Sequence, residues 1–227
     1  MRIGFKAGVL AAAALFAVAA APGPAGWTRT VAVTPLGSHL IGNPAAKVKL
    51  IEYVSYTCPH CAQFQIQSEG VLQLAYLPSG RLAVEVRHLL RDPVDLTVAL
   101  MTNCSSKDKF VLNHSAMLRS QNAWMAPIAK STASQRQRWT TGEFATRNRA
   151  IAGDLKLYEA MATRGYDRTT LDRCLADKVM AQRLVGQTKA GVDAGVNKTP
   201  SFVINGKLLE NTDTWAELRP QLDESLK

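Results

Sequence analysis

A short apolar run followed by helically spaced apolar residues is the clearest pattern in the chain. Residues 48–54 are mostly β-branched or aromatic and follow the turn-forming Gly42-Asn43-Pro44, which predicts a strand buried on both faces. Pro78-Ser79-Gly80 ends the next segment, and residues 82–90 predict a second strand parallel to the first, giving a βαβ unit. The helix between them has its apolar face at Cys61, Phe64, Ser68, Val71, Leu72 and Ala75.

More than 100 residues of largely helical character separate Leu90 from Thr199. This segment is rich in Ala, Leu, Lys and Arg, with breaks at Pro127 and Gly142. It is far too long for an ordinary strand-to-strand connection, so it predicts an inserted helical subdomain. Its expected apolar positions are Leu96, Ala99, Leu100 and Asn103, and later Leu171, Leu175 and Val179.

The C-terminal segment predicts a hairpin and a helix. Asn205-Gly206 lies between the short apolar runs 201–204 and 207–209, and both residues tolerate the positive φ of a type I′ turn. The helix that follows has Trp215, Leu218 and Leu222 on one face and a capping-box pair, Thr214 and Glu217. Pro220 falls where the interior of this helix is expected, a position at which proline usually breaks or kinks a helix.

The first residues predict export. Arg2 and Lys6 precede an apolar stretch from Ala7 to Ala20, and Ala17-Val18-Ala19 has the A-x-A cleavage pattern, so residues 1–21 are a predicted signal peptide. An uncleaved anchor is the alternative, although the stretch is shorter than the roughly 20 residues that span a bilayer. We therefore expect a periplasmic or secreted protein, in a compartment where disulfides persist.

Size and charge narrow the function classes. A chain of 227 residues with 47% hydrophobic composition can bury a core without a metal or disulfide scaffold. The formal charge is +9, but the basic residues are scattered among acids and lack the dense runs of a nucleic-acid-binding tail. We interpret them as solvated helix faces, with weak attraction to anionic lipid or acidic partners as the alternative.

The candidate chemistry lies at Cys58 and Cys61. A Cys-x-x-Cys spacing at a helix start brings the two sulfurs within bridging distance. The helix N-terminus should lower the pKa of an exposed Cys58, while the more buried Cys61 acts second and His60 adds a donor or positive charge. Half a zinc site is one alternative, although a ribbon needs a second close pair, and an inert bridge is another. Cysteines and histidines elsewhere are isolated in sequence: Cys104, Cys174, His39, His88 and His114.

These features together resemble the DsbA-like branch of the thioredoxin superfamily. They are Cys58-Pro59-His60-Cys61 after the central strand, the helical insert, and Thr199-Pro200 before the hairpin. The resemblance implies an α/β thioredoxin-like fold with a large inserted helical subdomain. The expected organisation is a signal peptide (1–21), an N-terminal extension (22–47), a first thioredoxin-like part (48–92), the helical insert (93–195) and a second thioredoxin-like part (196–227).

The resemblance also implies roles. Cys58 matches the nucleophile that forms the mixed disulfide, Cys61 the resolving cysteine, and Pro59 and His60 the pair associated with an oxidising potential. Pro200 matches a cis-proline packed against the disulfide, with Thr199 offering backbone hydrogen bonds to substrate; an ordinary trans-proline starting an edge strand is the alternative.

Glu52 matches the family's buried acid beneath the active site. A carboxyl group inside an apolar strand should have a raised pKa and could relay the proton of Cys61. It could instead pair with a basic side chain or lie at an exposed edge. Cys104 and Cys174, an even pair in an exported protein, predict a structural disulfide, with two buried free thiols as the alternative.

The expected function is donation of the Cys58–Cys61 disulfide to exported proteins. A reductase or isomerase on the same fold is the first alternative, and a non-catalytic peptide-binding or chaperone module is the second. The expected partners are reduced exported polypeptides and a membrane protein that reoxidises the pair. We expect a monomer that uses no nucleic acid, no metal and no cofactor besides the redox-active disulfide.

Overall fold

A computed structural model describes residues 24–227. The predicted signal peptide, including its cleavage pattern, lies outside the described residues. Within residues 24–227, no helix combines the length and the apolar character needed to cross a membrane.

Six strands form one mixed sheet in the order β1-β2-β4-β3-β5-β6. The central pair, β3 and β4, is parallel, and the other neighbours are antiparallel. The predicted βαβ unit is therefore present. The strands are β1 (Val31–Val33), β2 (His39–Gly42), β3 (Val48–Val54), β4 (Leu82–His88), β5 (Ser201–Ile204) and β6 (Lys207–Leu208).

Strand β4 ends at His88, two residues earlier than the sequence predicts. At this end of β4, two side chains of the helical insert accept hydrogen bonds from backbone N–H groups. The His88 N–H donates to Gln187 Oε1 at 2.9 Å, and the Leu90 N–H donates to Thr188 Oγ1, also at 2.9 Å. The Leu89 N–H still donates to the Val54 carbonyl at 2.9 Å, and the next donor, at Leu90, bonds to the insert instead of to β3.

Strands β1 and β2 lie in a segment for which the sequence predicts only an extension. They have three and four residues, too few to show an alternating pattern. Strand β2 pairs with β4 and widens the sheet beside the βαβ unit.

Eight α-helices between β4 and β5 form the helical insert. Its core is continuous with the core formed by the sheet, the first helix after β3 and the C-terminal helix. The helices of the described chain are α1 (Pro24–Trp27), α2 (Pro59–Val71), α3 (Pro93–Thr102), α4 (Lys107–Arg119), α5 (Gln121–Met125), α6 (Ala133–Thr140), α7 (Phe144–Asp154), α8 (Leu157–Ala162), α9 (Arg168–Leu175), α10 (Lys178–Asp193) and α11 (Trp215–Ser225).

One apolar position in the insert is wrongly predicted. Leu171 and Leu175 are buried on α9, but Val179 is 59% exposed. The Asp177 side chain caps a new helix by accepting a hydrogen bond from the Met180 N–H, so α10 starts with a different phase.

Helix α2 is followed by a single π-helical turn, Leu72–Tyr76. A π turn holds more residues than an α turn, which shifts the buried face by about one position. Tyr76 is therefore buried and Ala75 is exposed, the reverse of what α-helical spacing predicts. The Tyr76 ring packs edge-on against Trp215 with 5.8 Å between ring centroids.

The C-terminal prediction is confirmed. Asn205 (φ +48°) and Gly206 (φ +85°) form the turn between β5 and β6. The Thr214–Glu217 capping box starts α11, and Pro220 lies inside that helix. Proline has no N–H to donate to the carbonyl one turn earlier. Because Pro220 is at an exposed position, water can donate to that carbonyl instead.

Candidate active site

Cys58 caps the N-terminus of α2, and Pro59 occupies the first turn. Proline suits this position because its φ is already helical and its missing N–H would have no partner inside the helix. Cys58 Sγ lies 3.0 Å from the Thr199 carbonyl oxygen, to which the protonated form of the thiol donates. Only 3% of the Cys58 surface is exposed, which corrects the expectation of an exposed residue. The loop that carries Thr199 covers it.

Cys58 and Cys61 are unbridged, so the structure represents the dithiol form. A hydrogen bond from the Cys61 thiol lowers the pKa of Cys58 from 9.0 to about 5, against the opposing effect of burial. The Thr199 side chain and the backbone N–H groups of Cys61 and His60 contribute in the same direction. Burial, and then the bond to Cys58, raise the pKa of Cys61 well above 9.0. At neutral pH the thiolate is therefore Cys58 and the protonated thiol is Cys61.

Glu52 lies on β3 beneath the two cysteines, and 3% of its surface is exposed. Burial raises its pKa from 4.5 to about 8. Among the described residues it forms no ion pair, and its Oε1 has no hydrogen-bond partner. This placement fits neither an ion pair nor an exposed edge. Glu52 lines a cavity of about 50 Å³ that lies between the sheet, α2 and α4.

The peptide bond between Thr199 and Pro200 is cis. Pro200 is buried directly before β5, and Thr199 is half-buried beside Cys58. The trans-proline alternative does not describe this structure. Cys58, His60 and Thr199 share the wall of an open groove of about 480 Å³.

Asp95 and Gln121 support the active-site loop, and the sequence did not single out either residue. The Asp95 carboxylate accepts from the Ser55 hydroxyl at 2.6 Å, the Tyr56 N–H at 2.8 Å and the Arg91 N–H at 3.0 Å. Burial raises its pKa from 3.8 to about 7.

The Gln121 amide donates to the carbonyls of Tyr56 at 2.6 Å and Cys58 at 2.9 Å. The insert thus holds the cysteine loop through buried hydrogen bonds. Asp92-Pro93 before Asp95 predicts a helix start, but nothing local indicates contacts with a loop about 40 residues away.

Three histidines that are distant in sequence meet behind this loop. His39 stacks on Phe110 with 3.7 Å between centroids, and the Tyr56 hydroxyl is 2.9 Å from His114 Nδ1. Burial lowers the pKa of His39 to about 4 and those of His88 and His114 to about 3. They are neutral in the folded protein. No group of three or more His, Cys, Asp or Glu side chains in the described part of the chain is arranged to hold a metal.

Cys104 and Cys174 form a disulfide with Cα atoms 5.6 Å apart. The bridge joins the end of α3 to α9, and it is the first of the two alternatives that the sequence left open.

A family comparison identifies the fold. Residues 34–224 match the family model described as thioredoxin. The chain belongs to the thioredoxin family. It is 52% identical to a structure from Novosphingobium aromaticivorans named protein-disulfide isomerase, with a TM-score of 0.81 over 84% of this chain and 98% of that one.

Two more distant similarities are one to a solved structure and one to a protein sequence. The α-DsbA1 of Wolbachia pipientis is 19% identical, with a TM-score of 0.66 over 85% of this chain and 92% of that one. A Rickettsia bellii relative with the provisional name protein-disulfide oxidoreductase is 25% identical over 76% of this chain. The chain spans 58% of that relative's length. The thioredoxin-like fold with a helical insert, of the DsbA kind, is therefore confirmed.

Proposed function

We propose that this protein is a DsbA-like protein thiol:disulfide oxidoreductase that donates its Cys58–Cys61 disulfide to reduced exported polypeptides. The observation that carries the proposal is the opposite displacement of the two thiol pKa values within one motif. A cysteine with a low pKa is a good leaving group, so a disulfide at Cys58 is readily transferred.

The proposed reaction starts with the oxidised pair. A substrate thiolate attacks Cys58 Sγ, the Cys58–Cys61 bond breaks, and Cys61 leaves as a thiolate that takes up a proton. The second substrate thiolate then attacks the substrate sulfur of the mixed disulfide and releases Cys58 as a thiolate. The substrate dithiol loses two electrons and the protein gains them.

Glu52 is the proposed proton source for Cys61. Its pKa of about 8 leaves it largely protonated at pH 7, and it lies beneath Cys61 with a free oxygen beside a cavity. A group whose pKa is close to the working pH can both give and take a proton.

The location and partners belong to the same proposal. The predicted signal peptide supports export to the periplasm or secretion, and a membrane oxidant would restore the Cys58–Cys61 disulfide. We propose a monomer in which that disulfide is the only redox group.

Replacing Cys61 with Ala tests the reaction order. The Cys58 thiolate of this variant attacks a substrate disulfide and releases one substrate thiolate. No Cys61 thiol remains to break the mixed disulfide, so adducts between Cys58 and substrate proteins should accumulate. Diagonal gels of an exported-protein fraction would reveal them. Cys58→Ala is the matched control and should trap nothing. If Cys61→Ala yields no adducts, or if Cys58→Ala yields as many, the proposed nucleophile is wrong.

Isomerisation is the second candidate, because the 52% identical relative is named a protein-disulfide isomerase. Equilibration with glutathione buffers separates an oxidant from a reductant, which differ by tens of millivolts. A comparison of two activities separates a donor from an isomerase. A donor should oxidise a reduced dithiol peptide faster than it reactivates a ribonuclease with scrambled disulfides. The opposite order would favour the isomerase.

A further inference from the structure

The groove beside Cys58 has a charged wall. Its permanent charges are those of Arg91 and Lys198, and no Asp or Glu of the described chain lines it; the other lining residues are Cys58, Pro59, His60, Leu89, Asn197 and Thr199. A peptide that brings a cysteine to Cys58 must cross this wall. The two cations therefore decide which substrate charges are favoured there.

Lys198 already has a partner of opposite charge within the protein. Its ammonium group lies 2.6 Å from Asp213 Oδ1, with both side chains about half exposed. Its contribution to substrate charge preference is correspondingly weak.

Arg91 is different. It is exposed just beyond the end of β4, and its guanidinium donates to the Thr57 carbonyl, the residue before Cys58, at 3.4 Å. Among the described residues it forms no salt bridge.

The nearest carboxylates are committed elsewhere. Asp92 accepts from the Thr57 hydroxyl at 2.7 Å and from the Asp95 N–H at 2.9 Å. The Asp95 carboxylate accepts three buried hydrogen bonds. Arg91 is thus a cation of the groove with no carboxylate to neutralise it.

We infer that Arg91 binds a carboxylate of the substrate, so that the protein prefers cysteines with an acidic neighbour. This inference rests on the proposed function. A guanidinium presents a planar pair of donors that matches a carboxylate, and it keeps its charge at every relevant pH. Because Arg91 contacts the residue before Cys58 and an extended chain advances about 3.3 Å per residue, the acid should lie within one or two positions of the substrate cysteine.

Two dithiol peptides that differ only in Glu or Gln beside one cysteine test the inference. Each rate is divided by the rate of the same peptide with a neutral aromatic disulfide, which removes the effect of Glu on the peptide thiol itself. The wild-type protein should show a Glu/Gln ratio of kcat/KM of roughly 2 to 5 at low salt, typical of an exposed charge pair. The ratio should approach 1 as salt is added.

Arg91→Gln should bring that ratio close to 1 at low salt. Arg91→Lys, which keeps the charge and loses the paired donors, should give an intermediate ratio. Arg81→Gln is the matched control, since Arg81 lies at the other end of β4 and its guanidinium donates to the Leu226 carbonyl at 2.6 Å. This variant loses the same charge and should keep the wild-type ratio. Thermal melts of the three variants would check that each of them is folded.

A wild-type ratio that Arg91→Gln leaves unchanged overturns the inference. An equal drop in Arg81→Gln also overturns it, because net charge alone would then set the preference. If the wild-type protein oxidises neither peptide, the proposed function itself is contradicted. If it oxidises both equally at low salt, only the acidic preference is wrong.

Discussion

Glu52 shows how a single buried group sets the pH dependence of stability. Its folded-state pKa is raised from 4.5 to about 8, so between these values the folded protein holds a proton that the unfolded chain releases. The cost of burying this carboxyl group is absent below pH 4.5 and grows as the pH rises towards 8.

Glu52→Gln should therefore stabilise the protein at neutral pH while leaving it little changed at pH 4. The gain at pH 7 is up to about 3 kcal/mol, because one pKa unit corresponds to about 1.4 kcal/mol. Urea melts of the oxidised protein at pH 4 and pH 7 would measure it without titration of the active-site thiols.

The control is Glu69→Gln, on the same cavity. Glu69 is only partly buried and pairs with Arg119 at 3.3 Å. No comparable gain with pH is expected from it. Equal stability of Glu52→Gln and wild type at both pH values would show that Glu52 ionises freely in the folded protein.

The Cys104–Cys174 bridge joins two helices of the insert. The two cysteines are 70 residues apart in sequence. Cys104 follows the C-terminal end of α3, and the Asp92 cap that contacts the cysteine loop is at the opposite end of that helix. The chain-entropy model gives such a bridge roughly 4 kcal/mol of stabilisation.

Replacing Cys104 and Cys174 together with Ala should lower the melting temperature and leave oxidation of a reduced dithiol peptide nearly unchanged. Calorimetry and a stopped-flow oxidation assay would measure the two effects. Loss of oxidation without a change in melting would mean that the bridge takes part in turnover.

For the whole molecule, the active-site thiolate links redox state to folding. The pKa of Cys58 is depressed from 9.0 to about 5, so stabilisation of the reduced protein is complete above the unfolded value and is lost as the pH falls through 5. At pH 7 this favours the folded dithiol form by roughly 2 kcal/mol, after allowance for solvent screening at the groove. The oxidised protein has no such anion.

The reduced protein should therefore be more stable than the oxidised one at pH 7. Urea melts of both forms, with Cys104 and Cys174 kept bridged, would measure the difference, and it should shrink towards pH 5. A Cys58→Ser variant cannot form the thiolate and serves as the reference for the reduced state. If the oxidised form is the more stable by about 2 kcal/mol, the protein is a reductase.

Elements whose pattern lies within a few neighbouring residues can be predicted from the amino-acid sequence. Five of the seven residues of strand β3 are apolar, Asn205-Gly206 forms the β5–β6 turn, and the Thr214–Glu217 box starts α11. The cysteine spacing at the start of α2 likewise follows from helical geometry, so the candidate site could be located from the motif alone.

Tertiary structure decided what depends on partners distant in the chain. Strands β1 and β2 are too short to show a pattern and exist because β4 offers an edge for pairing. The burial of Cys58 depends on Thr199, 141 residues later, and Gln121 reaches the same loop across 63 residues. Hydrogen bonds and burial across such separations leave no periodic trace in sequence, because only folding brings the groups within 3 Å or so of each other.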